Sequence, residues 1–374
     1  MFKLTMLPAS DGDCLILSWG DEGAVRHMIV DGGRAGAYRH LKPRLEAMSR
    51  AEEPLALFVL SHIDADHIGG ALKMIEDDPP PHAPARVWYN GFDQLTRFQP
   101  LGEKQGDRYT KALRERKWPW NDGFEDGIVS VETAPGRFEV EGLTVTLLSP
   151  DLEHLAELRE RWEDWREQQA ALAAQKALET EDRGTHVVPL GRSPMPAVLD
   201  VEQLAAPGPT DREPPNGSSI AFIAEWKGHR ILLAADAHPN VLERELRPLA
   251  AKEGGRYRLD LVKVAHHGSR KNTTSDLIRL LDCGSFAIST NGNLHGHPDP
   301  EAISRLLLHA PERKKCLYFN YDTDRTRPWD NRALKERYHY ECVFATDTPG
   351  LLEIDIESLR SGPCNGENEQ TLSS

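Results

Sequence analysis

Six consecutive residues hold four side chains that bind cations, His62, Asp64, Asp66 and His67, and they directly follow the apolar run at residues 55–60. A strand ending in such a loop can half-build a two-metal site. Its first and third positions reach one cation, and the adjacent fifth and sixth turn back toward a second. A hydroxide held between the ions would then be the nucleophile. The alternative is a polar surface loop, which loses ground to further candidate ligands downstream.

Positioning these groups requires strands that end near one another. The first portion alternates short apolar runs, at residues 15–19, 27–30, 55–60, 86–89 and 143–148, with turns and with helical sequence at 38–50 and 70–76. From Ser218 the pattern resumes, with strands at 218–226, 230–234, 261–265 and 286–289. Helices are expected near 240–252, from Thr274, and from Asp299-Pro300-Glu301. The last strands fall at 315–320, 341–344 and 351–356. Strands interleaved with helices predict an α/β architecture.

Two stretches interrupt this order. Residues 79–127 are rich in Pro, Trp, Tyr and Phe, and their 108–117 stretch carries Arg108, Lys111, Arg114, Arg116 and Lys117, opposed within it only by Glu115. They read as a lid or insertion, either holding a phosphate-bearing or nucleobase-containing substrate or presenting a solvated helix. Leu152, Leu155, Leu158, Trp162 and Trp165 fall near helical spacing and predict a helix over 151–183. Pro194, Pro196, Pro207, Pro209, Pro214 and Pro215 then predict an irregular linker. This insertion, 151–215, would separate halves at 1–150 and 216–358, with a disordered tail over 359–374. Its apolar stripe could dock on its own domain, pair with another subunit or meet a partner protein.

The net charge of −14 argues against a broad electrostatic hold on nucleic acid. It leaves room for a local site, since divalent cations make a cleft more positive than the total implies. The five cysteines, Cys14, Cys283, Cys316, Cys342 and Cys364, are odd in number, scattered and without CxxC spacing, so neither a disulfide framework nor a zinc–cysteine site is expected. Residues 1–8 lack the apolar core of a signal peptide, and no apolar stretch approaches the length of a membrane span. A soluble, cytoplasmic protein is the expectation.

At the His62–His67 loop the chain resembles the metallo-β-lactamase superfamily. Within it, the chain is similar to the β-lactamase-like nuclease domain of the bacterial DNA-uptake competence protein, as a soluble stand-alone relative. The resemblance is carried by Ile29-Val30-Asp31-Gly32-Gly33, the loop at 61–70, Leu232-Leu233-Ala234-Ala235-Asp236 and Ala265-His266-His267-Gly268-Ser269. Ile288-Ser289-Thr290-Asn291, running to Gly296-His297-Pro298, favours the competence-type branch. The implied fold is a four-layer αββα sandwich with metals at one edge between the sheets.

The resemblance also implies that His62 and Asp64 bind one metal, that Asp66 and His67 bind the other, and that Asp236 bridges them. The final ligand would come from the His266-His267 pair. His266 is favoured because it directly follows the 261–265 strand, with His267 supporting a ligand or facing substrate. Asp64 stands where many zinc hydrolases of the superfamily have His, and a carboxylate-rich site suits manganese or magnesium beside zinc. The histidine expected between the loop and Asp236 is missing, and Asn216-Gly217-Ser218-Ser219 stands there instead. Asn216 would supply a weak oxygen ligand, orient a water or serve as a turn residue, so the second metal position would be weak or substrate-dependent.

Asp31 would hold a ligating histidine through its second nitrogen, or cap a turn. Gly32 and Gly33 read as backbone-permissive positions rather than a phosphate cradle. Ser269 and the amides after Gly268 could contact a substrate oxyanion, and His267 and Asn291 are further substrate-binding candidates. His297 could assist a leaving group or simply bond loop backbone. His295 and His238 are less specific.

The preferred reading is a metal-dependent phosphodiesterase or nuclease acting on DNA, RNA or a nucleotide-derived small molecule, with Asp66, Asp236 and His297 in catalytic roles. The runner-up is a carboxylic ester, lactone or amide hydrolase, since fold does not fix chemistry. A third reading is a metal-binding component of a multi-protein bacterial system that acts only when assembled.

Overall fold

Two sheets face each other across an apolar layer in the computed structural model, which describes residues 1–91, 105–134, 136–161, 194–361 and 364. The first sheet is built from β1 (Phe2–Met6), β2 (Leu15–Trp19), β3 (Arg26–Val30), β4 (Leu55–Val59) and β5 (Val87–Trp88). The next strands are β6 (Phe138–Val140), β7 (Leu143–Ser149), β8 (Ala221–Trp226), β9 (His229–Leu233), β10 (Tyr257–Arg258) and β11 (Leu261–Lys263). They are followed by β12 (Leu281–Asp282), β13 (Ser285–Ile288), β14 (Lys315–Phe319), β15 (Tyr340–Phe344) and β16 (Leu352–Asp355). One sheet runs β16-β1-β2-β3-β4-β5, the other β15-β14-β13-β11-β9-β8-β7-β6, and β10 pairs with β12 apart from both.

The strands are apolar on both faces because both faces are covered. Leu4, Leu17, Val30, Leu57 and Val59 meet Val145, Phe222, Ala224, Ile231 and Leu261 between the sheets. On the outside of the first sheet, Ile16, Ile29, Phe58 and Leu60 pack against α1 (Tyr38–Arg50), α2 (Ala65–Glu76) and α3 (Gln105–Arg116). Leu232, Val262, Phe286 and Leu317 do the same beneath α4 (Pro239–Lys252), α5 (Ser275–Arg279) and α6 (Pro300–His309). Four layers in the order helix, sheet, sheet, helix result, as the resemblance implied.

The pairs β3–β4, β9–β11 and β11–β13 are parallel. Their C-terminal ends therefore share one edge of the sandwich, where loops from both sheets converge. Glycines let α2 close on that edge. A Cβ at Gly70 would lie 1.9 Å from the Gly32 carbonyl oxygen, and one at Gly32 would lie 2.1 Å from the Ala71 nitrogen. Close approach, more than turn freedom, is what these two positions require.

Several expectations need correction. Helix α2 begins at Ala65, so Asp66 and His67 sit in its first turn rather than in a loop. The Pro-rich segment contains short helical turns at Val201–Leu204 and Pro214–Gly217, because proline is tolerated at the first turn of a helix. Leu359 is buried and Arg360 pairs with Asp260, so order extends past the expected tail boundary at 359. Cys316 and Cys364 form a disulfide that scattered spacing did not reveal. Of the 151–183 helix, the described part, residues 152–161, buries Leu155 and Leu158. Trp162 and Trp165 lie outside the described residues. In α3, Arg108 pairs with Glu76 and Arg116 donates to the Ile75 and Asp77 carbonyls, so both dock α3 onto the end of α2.

Candidate metal centre

Four imidazoles converge on Asp236, which follows β9 and is 3 % exposed. Its Oδ2 lies 3.5 Å from His67 Nε2, 3.6 Å from His266 Nε2 and 3.8 Å from His62 Nε2, while Oδ1 lies 3.7 Å from His267 Nε2. Asp64 Oδ2 is 3.8 Å from His62 Nε2, and Asp66 Oδ2 is 3.9 Å from His267 Nε2. Two donors set tetrahedrally about one ion, each about 2.1 Å from it, stand about 3.4 Å apart. The observed separations fit donors awaiting a shared cation better than donors bonded to one another.

Each ring is held by its other nitrogen. His67 Nδ1–H donates to Asp31 Oδ2 at 2.7 Å. The same carboxylate accepts from the Ser61 amide and hydroxyl, each at 2.7 Å. Ser61 Oγ in turn lies 2.9 Å from His62 Nδ1, the ring donating to it. His267 Nδ1–H donates to the Ser289 carbonyl at 2.9 Å. His266 Nδ1 faces Asn272 Oδ1 at 3.1 Å and Asp211 Oδ2 at 3.3 Å. Tying every Nδ1–H to an acceptor turns every Nε2 lone pair toward Asp236, the orientation metal-ligating histidines take.

The polar atoms left over carry the fit to metal. His62, His67 and His267 Nε2, Asp236 Oδ1 and Asp13 Oδ1 are buried without a hydrogen-bond partner. Buried polar atoms in native structures are ordinarily satisfied, and a cation would satisfy this set together. Donor atoms within 4.8 Å of one another group as His62–His67–Asp236, as Asp66–His67–His267 and as Asp13–Asp236–His267.

Electrostatics agree with a site built for positive charge. Burial works against the Asp236 carboxylate, yet facing His266, His67 and His267 hold it well below the usual range. Burial likewise opposes charge on His266, but Asp236 and Asp211 raise it to about 9. For His67, Asp236 and Asp31 overcome burial and raise it well above the ordinary histidine value. Without metal these rings hold protons that a metal ion would have to displace.

The structure thus brings His62, Asp64, Asp66, His67, Asp236, His266 and His267 to one edge, and Asp31 takes the orienting role rather than the turn-cap role. Both members of the His266-His267 pair reach the cluster: His267 joins the Asp66–His67 group, and His266 faces Asp236. Successive strand residues point oppositely, but His266 and His267 have φ of 46° and 55°, so both rings turn the same way. Ser269 and His297 line the adjacent cleft, and the His297 ring lies 5.3 Å from that of His266. Asn291 is not among the residues lining that cleft, and its Oδ1 accepts from the Asn293 amide. His238 is drawn away to the Glu213 carbonyl. Asn216 donates to Asp211 and leaves its own Oδ1 unpaired.

Sequence reasoning missed Asp211, Asp13 and Lys263. Asp211 comes from the segment read as a linker, is buried, and accepts from Asn216 and Asn272 while facing His266. Asp13 lies 3.6 Å from His267 Nδ1 and accepts at 2.7 Å from Lys263, a lysine wholly buried in β11. An acidic residue directly before an apolar strand, as in Asp11-Gly12-Asp13, was the available signal for the second of these.

Two sheets sandwiched between helices, with this His/Asp cluster at the shared strand ends, decide the architecture. The chain has the metallo-β-lactamase fold. No protein-family model matches the chain, and no curated protein does. Several solved structures are similar to it. YhfI from Bacillus subtilis is 10 % identical over 94 % of this chain and 100 % of its own, with a TM-score of 0.36. The short form of human tRNase Z is 11 % identical over 95 % and 99 %, with a TM-score of 0.35. A HARLDQ-motif metallo-β-lactamase mutant from Cronobacter sakazakii is 10 % identical over 69 % and 70 %, with a TM-score of 0.29. No helix among the described residues is long and apolar enough to cross a membrane.

Proposed function

We propose that the protein is a metal-dependent hydrolase of phosphodiesters, with a nucleic acid or a nucleotide-derived molecule as substrate. One observation carries this reading: seven His and Asp side chains converge, four of them (His62, His67, His267 and Asp236) with a buried, unpaired metal-facing atom, beside an open cleft that also holds Arg270, Lys271 and Arg325. When bound, divalent ions would activate water and neutralise charge on the phosphoryl oxygens. His62, Asp64, Asp236 and His266 would hold one ion, and Asp66, His67, Asp236 and His267 the other. On the first of these sides His266 would stand in for the histidine missing before Asp236. Asp64, Asp66 and Asp236 give the site hard oxygen donors, which supports manganese or magnesium alongside zinc.

The chain's own groups do the positioning. Asp31 and Ser61 fix the rings of His67 and His62, and Asp211 with Asn272 fixes His266. His297, whose Nδ1 is 3.5 Å from Asp299 Oδ2, stands in the cleft wall, where it can pass a proton to a departing oxygen. Ser269, in the same wall, can donate to a phosphoryl oxygen.

The test is cleavage of end-labelled single- and double-stranded DNA and RNA by chelator-stripped protein resupplied with manganese, magnesium or zinc. Cleavage restored by metal and absent from Asp66→Ala/His67→Ala supports the reading. Metal-restored turnover confined to carboxylic esters or lactones would replace it.

A further inference from the structure

Among the described residues, Arg325 is a charged side chain without a charged partner. It is 3 % exposed, yet among the described residues its guanidinium makes no ion pair and donates no hydrogen bond; only its backbone amide is bonded, to Thr323 Oγ1. The guanidinium lines the same cleft as Asp64, Asp66, His266, Ser269 and His297.

Its position is built rather than incidental. The turn after β14 is clasped by Thr323 and Thr326, with the Thr323 amide donating to Thr326 Oγ1 and Thr326 Oγ1 donating to the Tyr321 carbonyl. Opposite, Gly296 at φ +76° leaves room for the guanidinium, since a Cβ there would lie 2.4 Å from Arg325 Nη2. A fixed turn and a bare glycine together hold a cation in a notch of the cleft.

Burying a guanidinium unpaired is costly. The neighbouring carboxylates do not explain it, because Asp64, Asp66 and Asp236 face metal positions and Asp211 faces His266. Two divalent ions would outweigh those three carboxylates, leaving Arg325 a surplus cation beside a positive centre. With no partner among the described residues, the guanidinium is open to an anion brought by the substrate, and its geometry suits a phosphate. Arg270, also in the cleft wall, is already paired with Glu301. Lys271 is exposed and, among the described residues, has no ion-pair partner, so it offers a second, mobile contact.

We propose that Arg325 forms an anion subsite for a phosphate flanking the scissile one, so that the substrate is an oligonucleotide or a phosphorylated dinucleotide rather than an isolated phosphodiester. This deepens the phosphodiester reading and rests on it. Arg325 would be a specificity-determining residue that touches substrate away from the bond that breaks.

The experiment compares a 5′-phosphorylated dinucleotide with the same dinucleotide lacking that phosphate. Turnover is measured in metal-loaded protein, and equilibrium binding of fluorescein-labelled versions is measured by anisotropy in chelator. The variants are Arg325→Gln, Arg325→Lys and Gly296→Ala, the last displacing the guanidinium without removing its charge. Wild type is expected to prefer the phosphorylated probe, and Arg325→Gln to shrink that preference about thirty-fold, the scale of one lost charge-assisted contact. Gly296→Ala should shrink it too, while Arg325→Lys keeps part of it. Equal preference in wild type and Arg325→Gln, in turnover and in binding, would overturn the subsite. Binding preference without cleavage of either dinucleotide would uphold the subsite and count against the phosphodiesterase reading, which keeps the two failures apart.

Discussion

Replacing Asp31 with Asn should cripple metal binding while leaving the fold in place. Asp31 is wholly buried, with φ of 63°, a conformation Asn adopts about as readily as Asp. The change therefore adds no backbone strain. The native carboxylate accepts three hydrogen bonds, from the Ser61 amide, Ser61 Oγ and His67 Nδ1. An amide keeps one acceptor oxygen for the Ser61 amide, but turns an NH2 toward Ser61 Oγ and His67 Nδ1. To accept from that NH2, His67 must move its proton to Nε2, which removes the lone pair facing Asp236. Loss of such an orienting partner costs 10- to 100-fold in metal affinity, about 1.4–2.7 kcal/mol. Competition against a chromogenic chelator gives the dissociation constant for manganese or zinc, and circular dichroism confirms the fold. A folded Asp31→Asn protein with wild-type metal affinity would refute the claim that Asp31 orients a ligand.

Other predictions follow from the same contacts. Lys263→Met leaves the buried Asp13 carboxylate uncompensated and should destabilise the protein by about 3–5 kcal/mol in denaturant unfolding; Lys263→Met/Asp13→Asn should recover at least half. Gly70→Ala forces a Cβ to within 1.9 Å of the Gly32 oxygen, so a loss of about 1–3 kcal/mol is expected, with weaker metal binding because Asp31 and His67 sit across that contact. His266 is raised from 6.5 to about 9 in the fold. Its protonated form stabilises the metal-free protein fully below pH 6.5, and that stabilisation disappears as pH rises through about 9. Metal affinity should climb over the same window, and the slope should flatten in His266→Asn, as titrations between pH 6 and 10 would show.

Much of the centre was legible because its chemistry is local. His62, Asp64, Asp66 and His67 come from one strand–helix junction and stand out by residue type, whereas Asp236, after the apolar 232–235 run, was singled out through the family resemblance. Asp31 was legible as a carboxylate at a strand end, although its partner His67 is 36 residues away. His266 was favoured because it directly follows the 261–265 strand, and nothing in the local sequence announces the two consecutive left-handed residues that let both rings face Asp236. Asp211 was hidden by its proline-rich surroundings, which look structureless until their turns pack beside Asn272. Asp13 and Lys263 are separated by 250 residues, and only the closing of one sheet over the other makes them neighbours. Strand and helix spacing made the α/β class legible and the family resemblance supplied the four layers, whereas the Cys316–Cys364 bond depends on where the chain returns, which spacing does not encode.

The most direct test of the central claim is the metal content of the folded protein. Protein stripped with chelator, reloaded with manganese or zinc and desalted would be measured by inductively coupled plasma mass spectrometry beside Asp236→Ala and His62→Ala/His67→Ala. A centre bridged by Asp236 predicts about two ions per wild-type chain and retention falling toward zero in both variants. Folded wild-type protein that retains no ion, or variants that retain as many as wild type, would contradict it.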